Sequence, residues 1–158
     1  MKQKAIICDI DGVLLDTEHI FERIETAQLT GRDKWDYFNR HANEHDVVAD
    51  SRVIEILEAF SERGFRIIFL TARMNEIESE TKAKIDASIG LYAEKIFPYL
   101  ILTRPTKNVE PSNKVKEVWV ELLREKYDIF CAIDDDPENC EMFAKQNILT
   151  MQVHKKRG

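Results

Sequence analysis

Four groups of polar side chains, each placed directly after a short apolar run, are the residues of this sequence best suited to chemistry. They occupy residues 9–12, 71–73, 103–105 and 134–136. Two of the groups are acidic, with Asp9 and Asp11 in the first and Asp134 and Asp135 in the last. Carboxylates that converge repel one another unless a cation lies among them. Because the cysteines are not at zinc-ligand spacing and no histidine is nearby, these hard oxygen ligands favour Mg²⁺.

Basic and hydroxyl side chains in the other groups extend this chemistry to an anion. Thr71 and Arg73 belong to the second group and Arg104 to the third, while Lys114 and Lys116 open a helix that follows. An acid-bound Mg²⁺, these side chains and the free N–H groups of helix starts together predict a phosphate-binding site. An acidic group taken alone is more simply a turn or a helix N-cap. Acidic pairs on two strands, with a lysine downstream, favour the site.

The elements that must position these groups alternate between strands and helices. Apolar runs at residues 5–8, 65–70 and 129–133 are typical of strands buried on both faces, and residues 99–102 and 148–153 are expected in the same sheet. Apolar residues at helical spacing lie between them, including a helix expected to end at Gly90. The alternation predicts an α/β fold of three-layer, Rossmann-like type with a mostly parallel, five-stranded sheet. The carboxyl ends of parallel strands share one edge, where the polar groups would meet.

Residues 15 to about 50 interrupt the alternation between the first strand and the first full crossover helix. We expect this polar segment to form a small insert, or minimal cap, with short helices at residues 20–29 and 35–41. Its Trp35 and Tyr37 have two interpretations. They stack on a nucleobase beside the phosphate, or they pack the insert onto the sheet.

The polar groups resemble, in chain order, the four motifs of the haloacid dehalogenase-like (HAD) phosphohydrolases: Asp9-Ile10-Asp11-Gly12, Thr71-Ala72-Arg73, a lysine at a helix start and Ile133-Asp134-Asp135. The resemblance spans nearly the whole chain and implies the HAD fold. It also implies a Mg²⁺-dependent phosphatase in which Asp9 is the nucleophile that forms an aspartyl-phosphate. Asp11 would protonate the leaving oxygen and then activate water. Asp9, Asp11, Asp134 and Asp135 would hold the metal.

The same resemblance implies roles for residues around the phosphate. Thr71 would hold a phosphoryl oxygen, and a lysine would neutralise developing negative charge. Lys116, in Val115-Lys116-Glu117, is the leading candidate for that lysine, and Lys114 is the alternative. The remaining residues that we expect to contact the phosphate or the substrate are Gly12, Ala72, Arg73, Arg104 and Lys114.

Weaker signals resemble one branch of the superfamily, the 3′-phosphatase domain of phage-type polynucleotide kinase/phosphatase. They include residues 35–38, residues 102–105 ahead of the lysine helix, and the ending at residues 151–153. This resemblance implies removal of a 3′-phosphate from a polynucleotide or nucleotide, with a separate kinase or ligase as partner. The branch has a basic residue six positions before the lysine and an aspartate four before it, where this chain has Glu110 and Ser112. A mononucleotide or sugar phosphate is therefore the alternative substrate. A phospho-acceptor signalling module is disfavoured, because Asp9 and Asp11 are not adjacent.

The composition bounds these expectations. The chain has 158 residues, which predicts a single domain over residues 1–158 with no room for a large cap or a fused kinase. Its formal charge of −6 disfavours non-specific binding to duplex nucleic acid or anionic membranes. Neither a signal peptide nor a long apolar run is evident, so we expect a cytoplasmic protein. The oligomeric state stays open, and the basic residues 155–157 are expected to be a solvated terminus.

Overall fold

The computed structural model describes residues 1–44 and 48–154 of the chain. Within them lie five strands: β1 (Gln3–Cys8), β2 (Arg66–Met74), β3 (Tyr99–Arg104), β4 (Tyr127–Asp134) and β5 (Leu149–Gln152). They form one sheet in the order β3-β2-β1-β4-β5, and every neighbouring pair is parallel. The predicted α/β fold is confirmed, and the sheet over the described residues is entirely parallel.

The helices cover both faces of the sheet. The described residues contain α1 (Glu18–Thr26), α2 (Gly31–His41), α3 (Ser51–Glu62), α4 (Glu78–Tyr92), α5 (Ser112–Lys126) and α6 (Pro137–Lys145), together with a 3₁₀ turn at Asn75–Ile77. Alternation along each strand explains the layers, because successive side chains point to opposite faces. Ile6 and Cys8 of β1 pack with the cluster under α3 and α4, whereas Ala5 and Ile7 pack with the cluster under α5 and α6.

The chain reverses its direction of travel across the sheet between β1 and β4. From β1 it proceeds outward to β2 and β3, and then returns to the other side of β1 for β4 and β5. In such sheets the crevice outside the carboxyl ends of the strands, at this switch point, is where ligands bind. The N–H of Asp9 donates to the carbonyl oxygen of Ile133 at 2.9 Å, which fixes the two acidic strand ends side by side.

The structure corrects two expected boundaries. Residues 71–73 lie within β2, which runs on to Met74 through an irregularity in its pairing with β3 between Leu70 and Met74. A bulge of this kind re-aims side chains at a strand end. The second correction concerns α4, which passes through Gly90 to Tyr92. Burial of Ile85 and Ile89 outweighs the cost of about 1 kcal/mol that glycine carries in a helix.

The insert between β1 and α3 has a small core of its own. Its described residues include α1 and α2, and Ile20, Ile24, Trp35 and Phe38 form a cluster that packs on Met74 of β2. No large cap is evident in the described part of the chain. Across residues 1–44 and 48–154, no helix has the length and apolar character needed to cross a membrane. The expected basic terminus, residues 155–157, lies outside the described residues.

Candidate active site

Three carboxylates meet at the carboxyl ends of β1 and β4. Carboxylate oxygen atoms of Asp9, Asp134 and Asp135 all lie within 4.8 Å of one another. Burial, followed by the charge of Asp134, raises the pKa of Asp9 well above its ordinary range. The same two causes raise the pKa of Asp135 to about 6. Both shifts measure the cost of holding like charges together away from water.

Lys116 is the counter-charge inside this cluster. It lies in the first turns of α5 and is only 1% exposed, and its Nζ is 2.6 Å from Asp134 Oδ2 and 2.9 Å from Asp9 Oδ1. Burial alone would lower the pKa of Lys116, but the charges of Asp134 and Asp9 raise it above its ordinary value. Lys116 is therefore a fixed positive charge between two strand ends. Lys114 instead lies on the surface, with its Nζ 3.5 Å from Glu117.

A glycine allows the closest approach in the cluster. Gly12 follows β1 with φ of +78°, a left-handed conformation that L side chains rarely adopt. A Cβ atom there would lie 2.1 Å from Asp135 Oδ2. Any larger residue would collide with that carboxylate, so glycine is needed both for the turn and for the space.

Asp11 lies apart from the other three acids and faces an arginine. The fully buried Arg73 holds it with two nitrogens, Nη2 at 2.8 Å from Oδ1 and Nε at 3.1 Å from Oδ2. Nη1 of Arg73 also donates to Asn43 in the insert and to Thr81 in α4. The N–H donors of Arg73 are thus bonded to protein groups. Arg73 therefore positions Asp11 and connects the insert to β2.

The other residues expected at the phosphate have different surroundings. Thr71 is fully buried, and its Oγ1 accepts a hydrogen bond from the N–H of Arg73. Ala72 lines the cavity described below, and its carbonyl oxygen accepts from Nε of Arg104 at 2.9 Å. Arg104 is fully buried, with its guanidinium carbon 3.9 Å from the centre of the Trp35 ring. Burial lowers the pKa of Arg104 to about 10.

A cavity of about 780 Å³ opens in front of the acids. Asp9, Asp11 and Asp135 lie in its floor, and α1 and α2 supply an aromatic wall of Phe21, Trp35 and Phe38. Trp35 is 8% exposed, so its main role is packing, and the Tyr37 ring lies tilted against His41 with ring centres 4.3 Å apart. The exposed aromatic of this wall is Phe21, which the sequence reasoning did not single out.

Asn139 is a second residue that sequence reasoning missed. It is 2% exposed, and its Nδ2 donates to both oxygens of Asp134 and to Oγ of Ser112, each at 3.2 Å. Its Oδ1 has no hydrogen-bond partner among the described residues. Because the amide nitrogen must face the Asp134 carboxylate, the orientation of this amide is fixed. The available signal was its position three residues after the N-cap Asp136, in the first turn of α6.

The donor set fits a hard divalent cation. Three carboxylates offer oxygen ligands within one small sphere, and burial together with their mutual repulsion raises the pKa of Asp9 and of Asp135. Oxygen ligands of this kind suit Mg²⁺. The arrangement therefore combines a carboxylate beside a buried lysine, a second carboxylate held by an arginine, and a cation site, all facing one cavity.

Comparison with known proteins identifies the family. A family model described as "Polynucleotide kinase PNKP phosphatase domain" matches residues 3–157. The chain belongs to this family. Its fold also matches solved structures of the PNKP type and of other HAD proteins. A structure described as the Pnkp1/Rnl/Hen1 RNA repair complex has a TM-score of 0.71 at 22% identity, covering 99% of this chain and 44% of that chain.

More distant structures share the fold. The class C acid phosphatase from Bacillus anthracis has a TM-score of 0.58 at 15% identity over 98% of this chain and 67% of that one. A HAD family enzyme from Bacteroides thetaiotaomicron, solved as a magnesium complex, has a TM-score of 0.55 at 16% identity over 99% and 96%. The chain spans about half the length of the Pnkp1-containing structures. A comparison with curated proteins gives no match.

Two positions depart from the pattern of the branch that the sequence resembles. Glu110 stands where the resembling branch has a basic residue, and its carbonyl oxygen accepts from Nη1 of Arg104 at 2.5 Å. Ser112 stands where that branch has an aspartate, and it accepts from Asn139. The start of α5 and the residues just before it thus lack one expected positive charge and one expected negative charge.

Proposed function

We propose that this chain is a Mg²⁺-dependent phosphomonoesterase that works through an aspartyl-phosphate on Asp9 and removes the 3′-phosphate of a nucleotide or polynucleotide. The observation that carries the proposal is the placement of Asp9, which lines the cavity and lies 2.9 Å from the buried Nζ of Lys116. A neighbouring cation favours the ionised form of a carboxylate, against the burial that raises the pKa of Asp9, and it offsets the charge of an incoming phosphate. Membership of the PNKP phosphatase-domain family supports the reaction class.

The first step joins Asp9 to phosphorus. A carboxylate oxygen of Asp9 attacks, the bond between phosphorus and the ester oxygen breaks, and Asp11 gives its proton to the leaving oxygen. Arg73 holds Asp11 through two nitrogens and so fixes where that proton is delivered. Lys116 remains beside Asp9 and offsets the charge that develops on the phosphoryl group.

The second step returns Asp9 to its starting state. Asp11, now a carboxylate, takes a proton from water as the water oxygen attacks phosphorus, and the bond from Asp9 to phosphorus breaks to release inorganic phosphate. Asp9, Asp134 and Asp135 would hold Mg²⁺. The family resemblance adds the backbone carbonyl of Asp11 as a further ligand. The ion supplies charge neutralisation and orientation for the phosphoryl group when bound.

Phosphate release from a panel of substrates tests this proposal. The panel contains a 3′-phosphorylated oligonucleotide, a 3′-mononucleotide, a 5′-mononucleotide and a sugar phosphate, each with Mg²⁺ and with a chelator. We expect Mg²⁺-dependent release from the 3′-phosphorylated compounds, and none from any compound with Asp9→Asn. The matched control is Asp128→Asn, an exposed aspartate of β4. Turnover of the sugar phosphate alone would contradict the nucleotide part, and retained turnover in Asp9→Asn would remove Asp9 as nucleophile.

With a polynucleotide as substrate, a separate kinase or ligase is the expected partner. Removal of a 3′-phosphate leaves a 3′-hydroxyl, which is the end that a ligase joins. Support comes from the neighbouring structures, which are described as complexes of Pnkp1 with Rnl and Hen1. Such a role would place the protein in the cytoplasm with its nucleic-acid substrates. We expect the chain to co-purify with a nucleic-acid ligase from its own cell, and the pair to stay together on dilution. Elution of the chain without any such enzyme would contradict this partner.

A further inference from the structure

The aromatic wall of the cavity has one ring with an unused face. Phe21 is 36% exposed, lines the cavity, and stacks on Phe38 with ring centres 4.9 Å apart and planes at 28°. Phe38 is 2% exposed and has the guanidinium of Arg73 5.8 Å from its ring centre. Phe38 is therefore enclosed by protein, whereas Phe21 keeps exposed surface in the lining of the cavity. A flat apolar group bound there would cover exposed apolar surface and extend an existing stack.

This wall is held in place relative to the reacting acids. Arg73, which approaches Phe38, also holds Asp11 at 2.8 Å, and Arg104 lies against Trp35 at 3.9 Å. Both arginines are fully buried. The distance between a group stacked on Phe21 and a phosphate at Asp9 is thus set by packed elements. A ligand that uses both Phe21 and Asp9 must carry a flat group and a phosphate on one molecule that fits a cavity of about 780 Å³, as a nucleoside monophosphate does.

The rim of the cavity is acidic beyond the catalytic cluster. Its outer carboxylates are Asp16, Glu18, Asp50, Asp136 and Glu138, and among the described lining residues Lys34 is the one lysine or arginine. Asp50 is paired with Arg52, and Asp16 and Asp136 accept backbone N–H groups. Such a rim accepts hydrogen bonds from hydroxyl and amino groups and repels a second phosphate. Glu110 and Ser112 add no positive charge beside it.

We propose that the cavity selects a nucleoside monophosphate, with its base against Phe21 and with the phosphate to be released as the only phosphate that enters. This inference rests on the proposed phosphatase function and narrows its substrate class. A polynucleotide end brings a second phosphate on the far side of the terminal nucleoside, where it meets the acidic rim.

Matched substrates separate the two parts of the proposal. Thymidine 3′-monophosphate is compared with thymidine 3′,5′-bisphosphate, which adds one phosphate, with a 3′-phosphorylated thymidine decamer, and with glycerol 2-phosphate, which has no base. We expect kcat/KM for the monophosphate to exceed each of the others by about tenfold. Equal or better turnover of the bisphosphate or the decamer would overturn the claim that only one phosphate enters the cavity. Equal turnover of glycerol 2-phosphate would overturn the base site, and no turnover of any compound would overturn the proposed function itself.

Variants of the wall test the base site. In Phe21→Ala the ratio of kcat/KM for thymidine 3′-monophosphate to that for glycerol 2-phosphate should fall about tenfold, since stacking of a base on an aromatic ring contributes about 1–3 kcal/mol. Phe21→Trp keeps a flat ring and should retain the ratio within about threefold. Because both substrates are measured on the same variant, a loss of folded protein cancels. A ratio unchanged in Phe21→Ala would contradict the base site.

Variants of the rim test whether its negative charge excludes a second phosphate. The double variant Asp16→Asn, Glu138→Gln removes two outer charges, and the amide oxygen of Asn can still accept the N–H that Asp16 accepts. We expect it to raise the relative kcat/KM for the bisphosphate about fivefold at low salt, and Asp128→Asn to leave it unchanged. Lys155, Lys156 and Arg157 follow His154, which lines the cavity. Replacing all three with Gln should leave the preference for the monophosphate in place, and its disappearance would show that the rim is not the source.

Discussion

The edge of the sheet and the insert hold the cavity in different ways. At the edge, Asp9, Asp134 and Lys116 are nearly inaccessible and are joined by contacts of 2.6 and 2.9 Å between three separate elements. The insert is joined to the sheet by an aromatic cluster and two buried arginines, and it leaves Phe21 exposed. The reacting groups are thus positioned by the parallel sheet, whereas the surface that we propose chooses the substrate belongs to the insert.

Arg73 is the point where the two regions meet. It bonds Asp11 of the reacting set, Asn43 of the insert and Thr81 of α4. Changes at the sheet edge should therefore affect stability and turnover of every substrate. Changes in the insert should affect the choice among substrates, and changes at Arg73 should affect both.

The largest effect is expected from Lys116→Met at the sheet edge. Removal of its charge leaves Asp9 and Asp134 buried without the positive charge that pairs with them, and breaking a buried pair costs about 3–5 kcal/mol. We also expect turnover to fall more than about a thousandfold. Urea unfolding and phosphate release measure the two effects.

Lys114→Met is the matched control for Lys116. Its Nζ is exposed and lies 3.5 Å from Glu117, a surface pair worth under about 1 kcal/mol. If Lys114→Met were the more damaging of the two, the assignment of the buried charge to Lys116 would be wrong.

The next effect concerns Arg73→Met, which tests the link between the regions. Without its two bonds Asp11 loses its fixed position, and we expect kcat for an alkyl phosphate such as a nucleotide to fall about a hundredfold. An aryl phosphate with a good leaving group needs no proton from Asp11, so its first step should lose about tenfold or less. Arg73→Lys should restore part of the difference. Equal losses for both substrates would show that Arg73 acts on structure alone.

A third prediction uses pH to probe the acidic cluster. Burial, followed by the charge of Asp134, raises the pKa of Asp135 from 3.8 to about 6. Between pH 3.8 and about 6, the folded protein keeps a proton on Asp135 that the unfolded chain has lost. This proton favours the folded state at low pH, and its contribution to the free energy of unfolding disappears as the pH rises through about 6. Without divalent cations, the Tm of Asp135→Asn minus that of the wild type should grow between pH 4 and pH 7, by ~2–8 °C.

Added Mg²⁺ is the complementary arm of the pH experiment. It should raise the Tm of the wild type more at pH 7 than at pH 5, because its ligands must be ionised. It should raise the Tm of Asp135→Asn less at either pH. A Tm difference between the two proteins that stays constant with pH would contradict the account of Asp135.

The smallest effect is a spectroscopic difference between the two tryptophans. Trp35 lines the cavity in the insert, whereas Trp119 lies in α5 and donates to the carbonyl oxygen of Thr103 at 3.0 Å. In an inactive Asp9→Asn background, thymidine 3′-monophosphate should change the fluorescence of the Trp119→Phe protein, which keeps Trp35. It should leave the Trp35→Phe protein unchanged. The reverse pattern would place the ligand away from the insert.

The sheet edge was the more predictable region. Short apolar runs that end in Asp9 and Asp134 carry both the strand and its chemical group in one local pattern, and parallel strands then bring the groups together. Lys116 could be placed in a helix start, but its burial depends on the packing of α5 against β4, which spacing does not show. The extension of β2 through Arg73 depends on a bulge, which has no local sequence signal here.

The insert was less predictable because tertiary contacts decide its exposure. Trp35 and Tyr37 are aromatic residues in a polar segment, which made them candidates for stacking on a nucleobase. In the structure, the Arg104 guanidinium lies over the Trp35 ring, and the Tyr37 ring lies tilted against His41. Phe21, one of several apolar residues in a short helix, is left exposed by the same packing. Asn139 was hidden for a related reason, since its partner Asp134 lies on a preceding strand and Ser112 on another helix.

Trapping of the phosphorylated protein tests the central claim, that Asp9 is the nucleophile. In Asp11→Asn an aryl phosphate can still phosphorylate the protein because its leaving group needs no proton, whereas hydrolysis lacks its base. After acid quenching, mass spectrometry should find close to one phosphoryl group per chain, located on Asp9 and absent from the double variant Asp9→Asn, Asp11→Asn. A phosphoryl group on another residue, or none while the wild type turns over the same compound, would contradict the account.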